Sequence, residues 1–308
     1  MNQTTSPRAD IYQTITDHII AAIEAGAGDW CMPWHVQGNG AAVMPVNAAS
    51  KKAYRGVNVL NLWIAAQAAG YPAGIWATYK QWAELGAQVR KGEKATLVVF
   101  WKVFENGEEE DDAGEDENTD TGRQGRRFMA RGYHVFNCAQ VDGFDAPALP
   151  QSTEPERIAT AEAFFAAAGA DIRHGGNRAF YAPGPDFIQL PPFAAFRDAV
   201  AYYATLAHEA THWTGHPTRC ARDFKGRFGS EAYAAEELVA ELGAAFLCAD
   251  LGLASEPRPD HAAYVANWLK VLKGDKRAIF TAASKAQQAA DWMHARQLAE
   301  KHERRVAA

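Results

Sequence analysis

The chain has 308 residues, 48% of them hydrophobic with 9 Trp, 10 Tyr and 15 Phe, and a formal net charge of −6, which is material enough for two globular cores. No stretch approaches 18 uninterrupted apolar residues and residues 1–13 lack an apolar signal core, so a membrane span is excluded and a soluble, cytoplasmic protein is expected. Cys31, Cys138, Cys220 and Cys248 lie far apart with no C-x-x-C pair, which excludes a disulfide frame and a cysteine zinc site and fits buried, reduced thiols.

The pattern opens with an amphipathic helix over residues 11–25, where Ile11, Ile15, Ile19 and Ile23 are spaced by fours. An aromatic turn (Trp30 to Trp34), the polar stretch Pro45-Val46-Asn47, a helix over 59–69 and the segment 75–82 follow. Over residues 1–104 nine Lys and Arg stand against six Asp and Glu. Basic residues interleaved with aromatic and amide side chains suit a single-strand binder, since cations follow phosphates and ring faces stack on unpaired bases. The candidates are Lys51, Lys52, Tyr54, Arg55, Asn58, Trp76, Tyr79, Lys80, Arg90, Lys91 and Lys94, although each tryptophan could equally serve the core.

Residues 95–104 and 128–136 read as two strands of a hairpin. Between them, residues 106–126 hold no apolar residue larger than alanine and are expected to be a disordered acidic loop, a tolerated insertion more than a DNA mimic or shield. Ten acids lie between Glu105 and Asp120, and without them the formal balance moves from −6 to +4. Three prolines within 145–155 mark a linker, giving an expected division into 1–145, a single-stranded-DNA-binding domain, and 146–308. In the second part a helix is expected over 158–168. Strands are expected over 178–181 and 187–190, joined by Pro183-Gly184-Pro185-Asp186; such an edge strand can align an extended peptide.

Residues 196–213 place Phe196, Val200, Tyr203, Ala207 and Ala210 on one apolar stripe, ended by Gly215 and Pro217. Within that helix is His208-Glu209-Ala210-Thr211-His212. Two histidines four apart project from one face and can bind one metal ion, with Glu209 placed as general base. A third ligand is needed. The position ten residues after His208, a histidine in metzincins, is Thr218, and His216 sits in a Gly and Pro turn. Glu237 and Glu241, again four apart on a largely apolar helix with Leu238, Val239, Leu242, Ala245 and Phe246, resemble the E-x-x-x-D/E element of gluzincins. On that resemblance Glu237, in preference to Glu236, is the third ligand, and Glu241 accepts a hydrogen bond from His208. Tyr203 or Tyr233 could donate to an oxyanion. The region after residue 260 reads as two or three helices, with His261, His294 and His302 as surface or packing residues.

The segments P-x-N, Y-R-G-x-N, W-x-T-x-x-Q and Q-V-R-K-G-E-K within residues 30–101 resemble the N-terminal single-stranded-DNA-binding domain of ArdC-type antirestriction proteins, a domain also found in primases of conjugative plasmids. Residues 180–251 resemble the zincin-like metallopeptidase domain of the same family. The resemblance covers about nine-tenths of the chain, with the acidic tract as an insertion. It implies an α+β protein of two domains, the second of gluzincin type, which binds single-stranded DNA and helps the DNA of a mobile element escape host restriction. It implies Zn²⁺ on His208, His212 and a helix glutamate, with Glu209 as acid and base; Mn²⁺ or Co²⁺ would also fit. Two functions stay open: a metallopeptidase that cleaves a host protein near single-stranded DNA, or a DNA-coating protein whose metal domain is structural or acts in another step.

Overall fold

The computed structural model describes residues 10–26, 44–104, 119–121, 127–146, 154–222, 231–253 and 261–306. The chain is a two-domain α+β protein. In its N-terminal half α1 (Ile11–Gly26), β1 (Val46–Asn47), α2 (Val57–Ala69), β2 (Ile75–Thr78), α3 (Tyr79–Glu84), β3 (Gln88–Val89), β4 (Thr96–Phe104), β5 (Thr119–Thr121), β6 (Arg127–Asn137) and β7 (Val141–Asp142) follow in order. The fours-spaced isoleucines behave as their period requires: Ile15, Ile19 and Ile23 are fully enclosed.

β4 and β6 form the expected hairpin, in register from Thr96 opposite Val135 to Phe104 opposite Arg127, and the main sheet runs β1-β2-β6-β4. Asn58 fastens α2 to it, donating to the Val99 carbonyl at 2.7 Å and accepting from the Val99 amide at 2.8 Å. Gly132 leaves room for α1, because a Cβ there would stand 2.9 Å from Leu97 and 3.4 Å from Ile11. The acidic loop lies mostly outside the described residues, but Thr119–Thr121 is a strand paired with β6, which corrects the expectation of disorder across that tract. The Trp30 to Trp34 turn is also outside the described residues.

The C-terminal half contains α4 (Glu154–Ala168), β8 (Asp171–His174), β9 (Phe180–Ala182), β10 (Phe187–Leu190), α5 (Ala199–Thr214), α6 (Glu231–Leu251), α7 (His261–Gly274) and α8 (Ala278–Val306). Its small sheet is ordered β8-β10-β9. β8 was not expected, and its parallel pairing makes β10 the central strand, so that β9 and β8 are the edges. The polar alternation Asp171-Ile172-Arg173-His174 hides such a strand inside what reads as a loop.

The largest core crosses residue 146. It joins Ile15, Leu60 and Val99 to Leu238, Phe246, Trp268 and Ile279, so α6, α7 and α8 pack on α1 and α2. A second core, with Phe164, Phe165, Ile188, Leu206, Leu247 and Met293, holds the buried apolar side chains of α5.

Candidate metal centre

α5 begins where Asp198 accepts a hydrogen bond from the Ala201 amide at 2.7 Å, a side-chain cap that fixes the phase of the helix. That phase buries His208 and Glu209 and turns His208 and His212 toward α6. α6 approaches unusually closely because Gly243 has no side chain: a Cβ there would fall 2.4 Å from Thr211 Cγ2 and 2.6 Å from Thr211 Oγ1. Thr211 lies on the same helix between the two histidines, so the contact is made within the turn that carries them. It also sets the reach of the carboxylates on α6.

Among the described residues, His208, His212 and Glu237 form one cluster, with a ligand atom of each within 4.8 Å of the others. His208 Nε2 and His212 Nε2 each stand 3.5 Å from an oxygen of Glu237. Bonds of about 2.0–2.2 Å around a tetrahedral ion leave ligand atoms about 3.3–3.5 Å apart, so the spacing fits such an ion. His208 Nδ1 is buried and makes no hydrogen bond, and Glu241 Oε2 lies 3.5 Å away as the acceptor nearest to hand. Among the described residues, the carboxylates of Glu209, Glu236, Glu237 and Glu241 and the guanidinium of Arg222 lie buried or nearly buried around the two imidazoles, and a buried carboxylate calls for a positive partner.

The titration of the cluster reflects the pairing of carboxylate with imidazole. Burial by itself would depress the His212 pKa, but hydrogen bonds to Glu236 and Glu237 raise it to about 10. Burial likewise pushes Glu237 upward, and the hydrogen bonds from His208 and His212 reverse this, holding its carboxyl far below the ordinary range.

Glu236 does not face the cluster as a ligand. It accepts from His212 Nδ1 at 3.3 Å, and Arg222 grips it through Nε at 3.1 and 3.2 Å and through Nη2 at 2.9 Å. The turn after α5 folds back to deliver that arginine, as the Cys220 and Arg222 amides donate to the Thr214 and Gly215 carbonyls. Arg222 also donates to Thr214 Oγ1 at 2.9 Å and to the Thr211 carbonyl. Sequence reading missed this residue, which lies in an irregular segment with no periodic relation to either helix. His216 is outside the cluster and hydrogen-bonded to Thr218. Tyr203 stacks on Phe165 in the second core, and Tyr233 lies one turn before Glu237 on α6.

The candidates for DNA contact divide. Trp76 is fully enclosed, Tyr54 is buried and accepts from Asn47, and Asn58 is consumed by Val99, so none of these three offers a face to a base. Both faces of β2 are covered, Trp76 by the largest core and Ile75 and Ala77 by a smaller one, which composition alone does not reveal. Arg55 is exposed but paired with Asp291 on α8, and Arg90 is tied to Glu93 at 3.0 Å and to the Ala139 carbonyl. Lys80 stands 3.8 Å from Glu84. Lys51, Lys52, Tyr79, Lys91 and Lys94 are exposed.

Residues 9–136 match the family described as the N-terminal domain of anti-restriction factor ArdC, and residues 159–285 match a zincin-like metallopeptidase family. The chain is 58% identical over 298 residues, 96% of its length and 95% of the relative's, to the protein y4eC of Sinorhizobium fredii (strain NBRC 101917 / NGR234). It is 40% identical to DNA primase TraC of Escherichia coli over 92% of this chain but only 27% of the primase. The metal-free crystal structure of antirestriction ArdC protein from the R388 plasmid matches with a TM-score of 0.75 at 45% identity, covering 94% of this chain and 98% of that one. Its Mn(II)-bound structure matches at 0.73 and 44% identity, with the same coverage. Among the described residues no helix is long and apolar enough to cross a membrane.

Proposed function

The chain belongs to the ArdC antirestriction family, and on that premise we propose that it binds single-stranded DNA with its N-terminal half and hydrolyses protein at the His208, His212 and Glu237 centre. In this reading it shields the incoming DNA of a mobile element from host restriction. The observation that carries the peptidase part is Glu209, a buried carboxylate in the same helical turn as two converging imidazoles. A purely structural site gains nothing from it.

The metal is divalent, and zinc is the ion we propose, because two imidazoles and one carboxylate suit it; Mn(II) occupies the R388 relative. When bound, the ion supplies Lewis acidity to water and to a scissile carbonyl. Glu209 takes the proton of the attacking water and returns it to the leaving amine. Glu241 and Glu236 hold the two imidazoles from behind, and Tyr233 donates to the oxygen that gains charge. An extended substrate lies along the edge strand β9. The TraC primase relatives carry both halves of this chain within a larger DNA-acting protein, which supports the DNA partner.

The test is transfer of an unmodified plasmid into a restricting host, with the wild type compared with Glu209→Gln and with Lys51→Glu/Lys52→Glu. Loss of protection in both variants is expected. Full protection without Glu209, with loss in the lysine variant, would overturn the peptidase reading and leave a DNA-coating protein whose metal domain is structural.

A further inference from the structure

Two large exposed rings are neighbours on the main sheet. Phe100 on β4 and Tyr133 on β6 are 49% and 42% exposed, and the rings meet edge to face at 5.6 Å. Their strands are paired so that Arg131 lies directly opposite Phe100, and directly opposed residues share a face of the sheet. The buried Tyr54 backs the platform, its ring 6.4 Å from that of Phe100. Lys52 is exposed and two residues from Tyr54, about 7 Å along an extended chain. Aromatic planes held on rigid strands and bordered by cations match the chemistry of unpaired nucleotides, which present both a ring face and a phosphate.

We infer that Phe100 and Tyr133 are a stacking platform for the bases of single-stranded DNA, with Arg131 and Lys52 serving the adjoining phosphates. The inference rests on the single-strand reading given above and moves the aromatic contact from Trp76 and Tyr54 to two residues of the β4 and β6 hairpin. Paired bases have no free faces to offer, so the platform also selects against duplex.

Binding of fluorescent oligothymidylate, and of an abasic oligonucleotide of equal length, to full-length protein tests this. Phe100→Ala and Tyr133→Ala should each weaken the oligothymidylate complex roughly 5- to 150-fold. Neither should alter abasic binding or the salt slope. Phe100→Trp should bind as well as wild type. Arg131→Ala should reduce the slope of log affinity against log salt by about 0.7. Unchanged binding in the alanine variants would overturn the platform and assign the face to a protein partner, and equal weakening toward both oligonucleotides would overturn stacking as its role. Failure of the wild type to bind either oligonucleotide would instead overturn the single-strand reading itself. Thermal unfolding of each variant identifies any loss that comes from misfolding, and in that event the Phe100→Trp comparison decides.

Discussion

Glu236 accepts a hydrogen bond from His212 Nδ1 at 3.3 Å, while Glu237, its neighbour in sequence, faces Nε2 of the same ring at 3.5 Å. Adjacent helix positions diverge by about 100°, so one turn of α6 grips both edges of one imidazole. This separates two roles that look interchangeable in sequence. Glu237→Ala should abolish tight Zn²⁺ binding, whereas Glu236→Gln should retain the ion and weaken it by about 10- to 100-fold. Competition against a chelating fluorophore measures both, and the reverse ranking would show that the two residues have been assigned the wrong way round.

Arg222 is the counterweight to Glu236. Its side chain is almost wholly enclosed, and its partners include the Glu236 carboxylate, Thr214 Oγ1 and the Thr211 carbonyl. Removing one member of a buried ion pair costs about 3–5 kcal/mol, and without Arg222 the Glu236 carboxylate would keep the His212 Nδ1 contact but lose its guanidinium. Arg222→Met should therefore lower unfolding stability by about that amount, and adding Glu236→Leu should recover most of it. Urea denaturation of the two variants decides; a single variant as stable as wild type would mean that solvent reaches the pair.

The parts of the centre that sequence reveals are those built from regular spacing. His208 with His212 and Glu237 with Glu241 are each four apart on apolar helices, so helical geometry alone puts each pair on one face. Arg222 escapes that logic because it arrives from a turn, and its position follows from backbone hydrogen bonds to the end of α5. The N-terminal half shows the complementary weakness. Trp76 and Phe100 both sit in strand-like runs among basic residues, and only the pairing of β2 and β4 with β6 decides that the first is core and the second surface. The union of α1 and α2 with α6 to α8 in one core is a long-range pairing that no local pattern contains.

Asp186 gives the acid limb of stability a specific origin. Its carboxylate is hydrogen-bonded by Arg219 at 3.0 Å and by the Tyr181 hydroxyl at 2.8 Å, fastening the β9 and β10 hairpin to the end of α5. Arg219 holds its pKa below the ordinary 3.8, against the opposing effect of burial. A group whose folded pKa is depressed stabilises fully above its unfolded value and loses that contribution as pH falls through the folded one. Asp186→Asn, which tolerates the local φ of 55°, should be less stable than wild type by about 1 kcal/mol at pH 7, given partial solvent exposure. The gap should close on acidification below pH 4. Denaturation curves at pH 7 and pH 3 check this, and a constant gap would contradict it.

Gly243 links packing to the metal. Its missing side chain is the space that Thr211 occupies, so Gly243→Ala must push α6 away from α5 or distort the turn that carries both histidines. Overpacking of this kind costs about 1–3 kcal/mol, which would outweigh the gain of up to about 1 kcal/mol that alanine normally brings to a helix interior. Displacement of α6 also moves Glu237 relative to the imidazoles, so Zn²⁺ affinity should fall along with stability. Thr211→Ala removes the two atoms of closest approach and leaves only the Cβ, 3.1 Å away. Added to Gly243→Ala, it should restore much of both losses, a non-additive pair in a double-mutant cycle. Should Gly243→Ala stabilise the protein and bind Zn²⁺ like wild type, the close approach of the two helices would not be what sets the geometry of the centre.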